Sequence, residues 1–357
     1  MFRVARVTQA DVARAAGTSM AVVSYVVNGG PRPVAEATRQ RVLAAIEQTG
    51  YRPDGVARAL VGGSTMTLGL IVPDIANEFF AELAAAVEQA ARAAGRTVLL
   101  ANSEGDASTE LDLLDTFLQR RIDGLVIVSQ APAAADRLLN RAKTRHVFLG
   151  AAPESAASIG VDNFGGAVAA TRHLLEHGHS RIAAIAGPAG DHVAEARLAG
   201  WRHAVAARPT AGRVRFVQHP FTVTGGYDAA LALLNPSPLA PGGPASGASI
   251  FGRSGPAGAR VRPQAVFASS DRQAIGLLRA AADLGLSVPD DLAVVTFDGS
   301  SISAYAVPAL TTIQQPIAEM AELAVRQLID PDPQPLRAVL EVGLVVRRSC
   351  GCPPAHL

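Results

Sequence analysis

The chain has 357 residues, of which 49% are hydrophobic, and its formal net charge is +1. This length predicts two or three domains, and the composition excludes a disordered chain. No apolar run approaches the roughly 20 residues that span a bilayer, and the first residues lack the apolar core of an export signal, so we expect a cytoplasmic protein with no membrane partner.

The charge is unevenly distributed along the chain. Residues 1–63 contain eight arginines and four acidic residues, a net charge of +4, whereas the remainder contains 24 basic and 27 acidic residues, a net charge of −3. A basic segment attached to a mildly acidic body favours an anionic polymer as the partner of that segment alone.

The first two predicted helices are joined by a tight turn. Thr8 and Asp11 have the spacing of a capping box at the start of the first helix, and Gly17 ends it. Ser19 is a good N-cap for a second helix over residues 20–28. Two helices joined this tightly form a helix-turn-helix, whose second helix enters the major groove of DNA. We expect four valines of the second helix to face the first: Val22, Val23, Val26 and Val27.

A third helix and a short fourth segment complete the N-terminal part. The third helix covers about residues 35–48, and its pattern buries Val42, Leu43 and Ile46. The fourth segment, residues 55–61, is under two turns long and marginal as an isolated helix, so the pattern alone favours a flexible tether. We place the headpiece at residues 1–52 and the hinge and linker at 53–63.

The body, residues 64–346, alternates strands with helices. This alternation predicts α/β architecture with parallel sheets, and two such sets predict two doubly wound subdomains with a cleft between them. We expect the chain to cross between the subdomains near residues 162, 298 and 315. Residues 235–264 contain 12 Pro or Gly in 30, which predicts a disordered surface insertion, and residues 347–357 are interpreted as a tail.

Runs in both parts resemble the lactose-repressor (LacI/GalR) family. In the N-terminal part the matching runs are residues 8–19, 22–29, 36–39, 44–47, 50–53 and 56–60. In the body, the runs 69–75, 123–127, 173–175, 185–188, 197–201 and 308–313 resemble the type I periplasmic-binding-protein fold that this family uses as its sensor. The resemblance implies a ligand-responsive repressor, nucleoid-associated, that binds a near-palindromic operator in double-stranded DNA as a homodimer. Its implied effector is a carbohydrate first and a purine or nucleoside second.

The resemblance also assigns DNA contacts to individual residues. The family's base-reading positions correspond to Met20, Ala21 and Tyr25. Phosphate contacts fall to five polar residues, which would set register without reading sequence: Thr8, Ser19, Ser24, Asn28 and Thr38. In this family the hinge helix forms on DNA and a leucine wedges into the minor groove; here that leucine is Leu60, with Ala57 and Arg58 beside it.

Eleven residues match effector contacts of the family. Ligands of open α/β sheets bind outside the carboxyl ends of the strands, where most of these residues lie. They are Asp74, Asn77, Phe79, Phe80, Asp162, Arg197, Phe221, Ser270, Asp271, Asp298 and Gln315. The alternative for each polar residue is a solvated loop end, and for Phe79 and Phe80 it is the core at a helix start. The family usually has Asn-Asp where this chain has Ser270-Asp271, which removes one donor and leaves the ligand's identity open.

Two cysteines and three histidines are residue types that can bind a metal. Cys350 and Cys352 are interpreted as idle thiols, and His173, His177 and His179 as family positions without a metal, although two histidines have ligand spacing. We therefore expect no cofactor and no metal.

Two other protein classes remain as alternatives. A periplasmic solute-binding protein or a sugar- or nucleotide-processing enzyme could share the body, but the first has no use for the headpiece and the second needs a catalytic pair that no motif suggests. We therefore expect a regulator and not an enzyme.

Overall fold

The computed structural model describes residues 7–28, 32–52, 63–208, 214–235, 249–251, 262–330, 334 and 336–352. The chain divides into two compact units. One consists of residues 1–67 with 121–123, and the other of residues 68–120 with 124–357.

The smaller unit contains the three predicted helices, α1 (Gln9–Ala15), α2 (Met20–Asn28) and α3 (Glu36–Thr49). The Asp11 carboxylate accepts hydrogen bonds from the Thr8 backbone N–H and hydroxyl, 3.0 and 2.7 Å away, which satisfies donors at the start of α1. The core is formed by fully buried valines of all three helices, Val12, Val23 and Val42.

One core assignment for α3 is wrong. Leu43 is 42% exposed, and Ala45 is buried in its place beside Val42. Successive residues of an α-helix are rotated by about 100°, so two neighbours cannot both occupy the centre of a narrow buried stripe.

The described part of the larger unit contains two sheets. The first has the strand order β12-β5-β4-β3-β1-β2 and the second β13-β11-β10-β9-β6-β7-β8. The first-sheet strands are β1 (Thr67–Val72), β2 (Thr97–Asn102), β3 (Gly124–Ile127), β4 (Arg145–Leu149), β5 (Ser158–Val161) and β12 (Arg337–Leu340). The second-sheet strands are β6 (Ile182–Ala186), β7 (Val214–Gln218), β8 (Ser249–Phe251), β9 (Ala265–Ala268), β10 (Ala293–Asp298), β11 (Thr311–Gln314) and β13 (Gly343–Val345).

Helices cover both sheets. They are α4 (Glu78–Ala93), α5 (Ala107–Gln119), α6 (Pro132–Arg141), α7 (Asn163–Glu176), α8 (His192–Ala206), α9 (Val223–Leu234), α10 (Asp271–Asp283), α11 (Ser301–Tyr305) and α12 (Ile317–Ile329). Central strands such as β3 and β9 are buried along their whole length, as expected of parallel strands with helices on both faces. None of the described helices is both long and apolar enough to cross a membrane.

The described strands show the chain passing between the sheets at three places. It leaves the first sheet after β5, returns to it between β11 and β12, and leaves it again between β12 and β13. The expected crossing near residue 298 is wrong, because β10 ends at Asp298 and pairs in parallel with β11 in the same sheet. The third crossing follows β12, a short strand that pairs with β5, and no local pattern announces this pairing.

Two other segments differ from their sequence interpretation. Part of the Pro/Gly-rich segment, Ser249–Phe251, is an edge strand paired antiparallel with β7, so disorder is wrong for these residues. The start of the interpreted tail belongs to the body, since Ser349 donates a hydrogen bond to Val294 O and Cys350 lies in the core. Both corrections arise from pairing with distant strands, which local composition does not indicate.

Candidate functional site

The outer face of α2 carries the candidate base-reading residues. Met20 is 56% exposed, Ala21 is exposed and Tyr25 is half-buried, whereas Val23 on the opposite face is fully buried. An exposed methionine at the start of a helix that follows a tight turn has the position from which side chains reach base edges in the major groove.

The five candidate phosphate-binding residues lie before, between and after the base-reading residues along the chain. Ser19, Thr8 and Asn28 are exposed, and Ser24 and Thr38 are half-buried. The Ser19 hydroxyl accepts from Val22 N at 3.3 Å, and Asn28 Nδ2 donates to Ser24 Oγ at 3.2 Å, so the ends of α2 are ordered by the same polar groups. The hinge candidates Ala57, Arg58 and Leu60 lie outside the described residues.

A cavity of about 560 Å³ lies in the larger unit, within the size range of small-molecule sites. It lies where the carboxyl ends of strands from both sheets meet. Nine of the eleven candidate effector residues line it: Asp74, Asn77, Phe79, Phe80, Arg197, Phe221, Ser270, Asp298 and Gln315.

Arg197 is held by contacts on several sides. It lies in α8, is 4% exposed, and its guanidinium carbon lies 3.7 Å from the centroid of the Phe297 ring. Its Nε donates to Asn163 Oδ1 at 2.8 Å, and its Nη1 donates to Asp298 Oδ1 at 2.9 Å. Because hydrogen bonds hold the guanidinium at Nε and Nη1 and the Phe297 ring covers one of its faces, its remaining N–H donors point in a fixed direction.

The Arg197–Asp298 ion pair is buried. Burial lowers the pKa of Arg197, although the Asp298 charge opposes this, and burial raises the pKa of Asp298, although Arg197 opposes this. Gln315 Nε2 adds a third partner, donating to Asp298 Oδ1 at 3.0 Å. Asp298 also has a φ of +110°, a strained conformation for a residue with a side chain, and such strain often marks a functional position.

Two candidates do not line the cavity. Asp162 is the N-cap of α7, where its carboxylate accepts from Gly165 N at 2.7 Å. Asp271 is buried and accepts from Ser300 N, Ser300 Oγ and Thr312 Oγ1 at 2.7 to 3.0 Å. Both carboxylates hold the backbone around the cavity and are absent from its wall.

Sequence reasoning missed several polar residues of the wall. They are Asn102, Glu104, Gln130, Asn163, Asp191 and Thr222. Asn102 ends β2, and Asn163 and Gln130 follow β5 and β3 within three residues, so the rule that ligands bind at strand ends could have found them. The buried Glu110 holds Gln130 in place by accepting from its backbone N–H at 2.6 Å.

The wall combines carboxylates, amides and aromatic rings. Among the described lining residues, four are carboxylates and one is a guanidinium: Asp74, Glu104, Asp191, Asp298 and Arg197. Carboxylates and amides accept hydrogen bonds from hydroxyl groups, whereas the excess of negative charge opposes an anionic ligand. The three phenylalanines, Phe79, Phe80 and Phe221, supply flat apolar faces.

Family models match both parts of the chain. Residues 8–54 match the model for bacterial regulatory proteins of the lacI family, and residues 65–239 match the model for periplasmic binding proteins and the sugar binding domain of the LacI family. Residues 171–350 match a periplasmic binding protein-like domain.

Similar proteins and structures cover nearly the whole chain. Catabolite control protein A of Priestia megaterium is 33% identical over 327 residues, covering 90% of this chain and 91% of that protein. The ribose operon repressor of Escherichia coli (strain K12) is 35% identical over 336 residues, covering 92% of this chain and 94% of that protein. A crystal structure of the lac repressor dimer bound to operator and the anti-inducer ONPF superposes with a TM-score of 0.80 at 25% identity. The match covers 97% of this chain and 99% of that chain.

Proposed function

Because the chain belongs to the LacI family of bacterial regulatory proteins, we propose that it represses transcription by binding an operator under the control of a small neutral sugar. One observation carries the proposal. A single chain combines a helix-turn-helix, whose second helix carries exposed side chains, with a cavity of about 560 Å³ whose wall is rich in hydroxyl-binding groups.

DNA recognition is assigned to α2. Two chains associated as a homodimer would present two such helices to the half-sites of a near-palindromic operator in double-stranded DNA. Met20 and Ala21 offer apolar contact, for example with thymine methyl groups, and the Tyr25 hydroxyl offers one polar contact. The protein would act in the cytoplasm, at the nucleoid.

The cavity wall favours a neutral polyhydroxyl ligand. Arg197, Asp298 and Gln315 form one hydrogen-bonded group, which can pair with adjacent hydroxyls of a sugar. Two of the four wall carboxylates, Asp74 and Asp298, are paired with arginines, and the other two, Glu104 and Asp191, would repel a phosphorylated sugar or a nucleotide. A purine nucleoside is the second candidate, because the three phenylalanine rings could stack on a base.

Ligand binding can influence DNA binding because the wall draws residues from both sheets. Asn77 and Phe79 lie at the start of α4 beside the first sheet, whereas Asp298 ends β10 of the second. A ligand that touches both favours one arrangement of the subdomains, and its effect on the operator is reciprocal. Induction and co-repression both use these same parts.

The first experiment tests the proposal directly. Palindromic sequences that bind the protein are selected from random duplex DNA, and binding is then measured by fluorescence anisotropy with neutral sugars, their phosphates and nucleosides. We expect a preferred palindrome and a neutral sugar that changes its affinity. No preference for any palindrome over random DNA, with or without these compounds, contradicts the proposal.

The second experiment tests the cavity with matched carboxylate variants. Asp298→Asn removes a charge from the wall, whereas Asp162→Asn keeps the α7 cap and lies outside the wall. We expect Asp298→Asn to weaken ligand binding by about 10- to 100-fold, since hydrogen bonds to charged groups contribute roughly 1.5–3 kcal/mol. Asp162→Asn should leave ligand affinity unchanged, and equal losses would place the ligand elsewhere.

The enzyme alternative has its own test. Family members are regulators of transcription, and we expect binding without turnover. Conversion of any sugar or nucleoside by the purified protein, lost in Asp298→Asn, would favour an enzyme instead.

A further inference from the structure

Four side chains that are common metal ligands meet beside the end of α7. His173 and His177 are four residues apart, so they project from one face of the helix, and their ring centroids lie 4.7 Å apart. Cys350 and Cys352, near the end of the described chain, lie against them. One ligand atom from each of the four residues falls within 4.8 Å of the other three.

The distances are close to those of a tetrahedral site. Cys352 Sγ lies 3.1 Å from His177 Nε2 and 3.7 Å from His173 Nε2. Zinc–sulfur bonds of about 2.3 Å and zinc–nitrogen bonds of about 2.0 Å place tetrahedral ligand atoms roughly 3.3–3.8 Å apart. Small rotations of side chains would therefore bring all four atoms onto one ion. We propose that His173, His177, Cys350 and Cys352 form a zinc site.

The surroundings of Cys350 support this assignment. Cys350 is buried in the core of the second sheet, and the Thr311 hydroxyl donates to its sulfur at 3.0 Å. A donor directed at a sulfur ligand is typical of the groups that surround a bound metal and stabilise the thiolate. The neighbouring Ser349 fixes the segment by accepting from Thr311 N and donating to Val294 O.

The ligand set determines what kind of site this is. Two thiolates and two imidazoles select zinc among the abundant divalent ions, and four protein ligands leave no position open for water or substrate. The site is therefore structural, and none of its ligands lines the sugar cavity. The ion would fasten residues 350–352 to α7. The helix end also suits a cation, because the helix dipole is negative there.

The zinc site is independent of the proposed sugar and operator, so its test does not require either. The full-length protein is prepared with reduced thiols, loaded with zinc and freed of excess ion, and the metal is then counted by mass spectrometry. We expect one zinc per chain. Cobalt(II) in place of zinc should give the strong visible bands of a tetrahedral site and a thiolate-to-cobalt charge-transfer band.

Three variants locate the ion. Cys352→Ser and His177→Ala should each weaken zinc binding by at least 100-fold and abolish the rise in melting temperature on adding zinc, since an ion bound only by the native state stabilises it. His179→Ala is the matched control: His179 lies next to His177, with ring centroids 6.5 Å apart, but outside the group of four.

The control variant should bind zinc as the unmodified protein does. Wild-type protein that takes up no zinc or cobalt overturns the proposal. So does zinc binding that survives both Cys352→Ser and His177→Ala, because the ion then lies elsewhere. Loss of binding in His179→Ala equal to that in His177→Ala also overturns it.

Discussion

Two buried carboxylates near the cavity have different neighbours. Asp298 is paired with Arg197, whereas Asp271 receives hydrogen bonds from Ser300 and Thr312 but has no cation among its described hydrogen-bond and ion-pair partners. Burial, and next the charge of Asp298, raise the pKa of Asp271 to about 7. Asp298 thus has a cationic partner that opposes the effect of burial on its pKa, whereas Asp271 holds its proton until the pH approaches about 7.

The raised pKa of Asp271 predicts how stability depends on pH. Above about pH 4 the unfolded chain has lost this proton, whereas the folded protein keeps it up to about pH 7. The free energy of unfolding therefore falls as pH rises across this interval and levels off above it. Between pH 5 and pH 8, the fall in the free energy of unfolding should be smaller by about 2 kcal/mol in Asp271→Asn than in the unmodified protein. Urea unfolding at several pH values measures this difference.

The control for this variant is Asp112→Asn, at an exposed position of α5, which should leave the slope of stability against pH as it is. A slope that is the same in Asp271→Asn and in the unmodified protein would contradict the assignment.

At the scale of elements, two helices of the second subdomain pack unusually closely. A Cβ on Gly226 of α9 would lie 2.1 Å from the Gln273 carbonyl oxygen of α10, and one on Gly276 would lie 2.0 Å from Val223 O. Backbone cannot move aside as a flexible side chain can. At the same contact, Gln273 Nε2 donates to Ala186 O and His219 O, 3.1 and 3.0 Å away.

Gly226→Ala should therefore separate α9 from α10. We expect a loss of about 2 kcal/mol or more in the free energy of unfolding, in line with overpacked cores. Gly343→Ala, in β13, is the control, because a Cβ there meets nothing within 4 Å. Urea unfolding of both variants checks this, and equal stability of the two would show that the helices can relax.

The exposed face of α2 gives a second prediction at this scale. Met20→Ala should weaken binding to the selected operator by roughly 10-fold and relax base preference at one position, since a base contact contributes about 1–3 kcal/mol. Binding to random DNA should not change. Leu43→Ala removes from α3 an apolar side chain that is 42% exposed, and it should leave both affinities unaltered. Anisotropy titrations that show the reverse would assign base reading to α3.

At the scale of the whole molecule, an ion pair connects the two subdomains across the cavity mouth. Arg272 Nη1 of α10 lies 2.7 Å from Asp74 Oδ2, and Arg272 Nε lies 3.7 Å from Glu78 Oε2 of α4. Both atoms of the longer pair are buried and have no hydrogen-bond partner among the residues that the structure describes. A slightly tighter approach of the subdomains would pair them, so these contacts favour a closed arrangement.

Arg272→Ala should reduce the closed population and weaken ligand binding by roughly 5-fold, since partly exposed ion pairs contribute about 1 kcal/mol and the apparent affinity scales with the competent fraction. Calorimetric titration with the identified ligand measures this. Arg279→Ala, also on α10 but paired with Asp283 of its own helix, is the control. Equal effects of the two substitutions would exclude a role for the cross-cavity pair.

Local features of the sequence determined most elements and their order. The capping box at Thr8, the valines of α2 and the alternation of strands and helices depend on neighbours a few residues apart, so periodicity and turn chemistry predict them. The same holds for the cavity, because polar residues at the carboxyl ends of parallel strands converge whatever the details of packing. Asp298 and Ser270 were assigned by the resemblance to the family, and both lie at or near such strand ends.

Only the tertiary structure decided which distant residues touch. It placed Asp298 on the cavity wall and Asp271 outside it, although Asp298 ends β10 and Asp271 follows β9, the neighbouring strand of the same sheet. It also brought His177 next to Cys352, 175 residues later in the chain, where the sequence offered two unrelated pairs. Such contacts depend on how whole helices and strands pack against each other. Each residue contributes little to that packing, so no local pattern predicts which distant residues will touch.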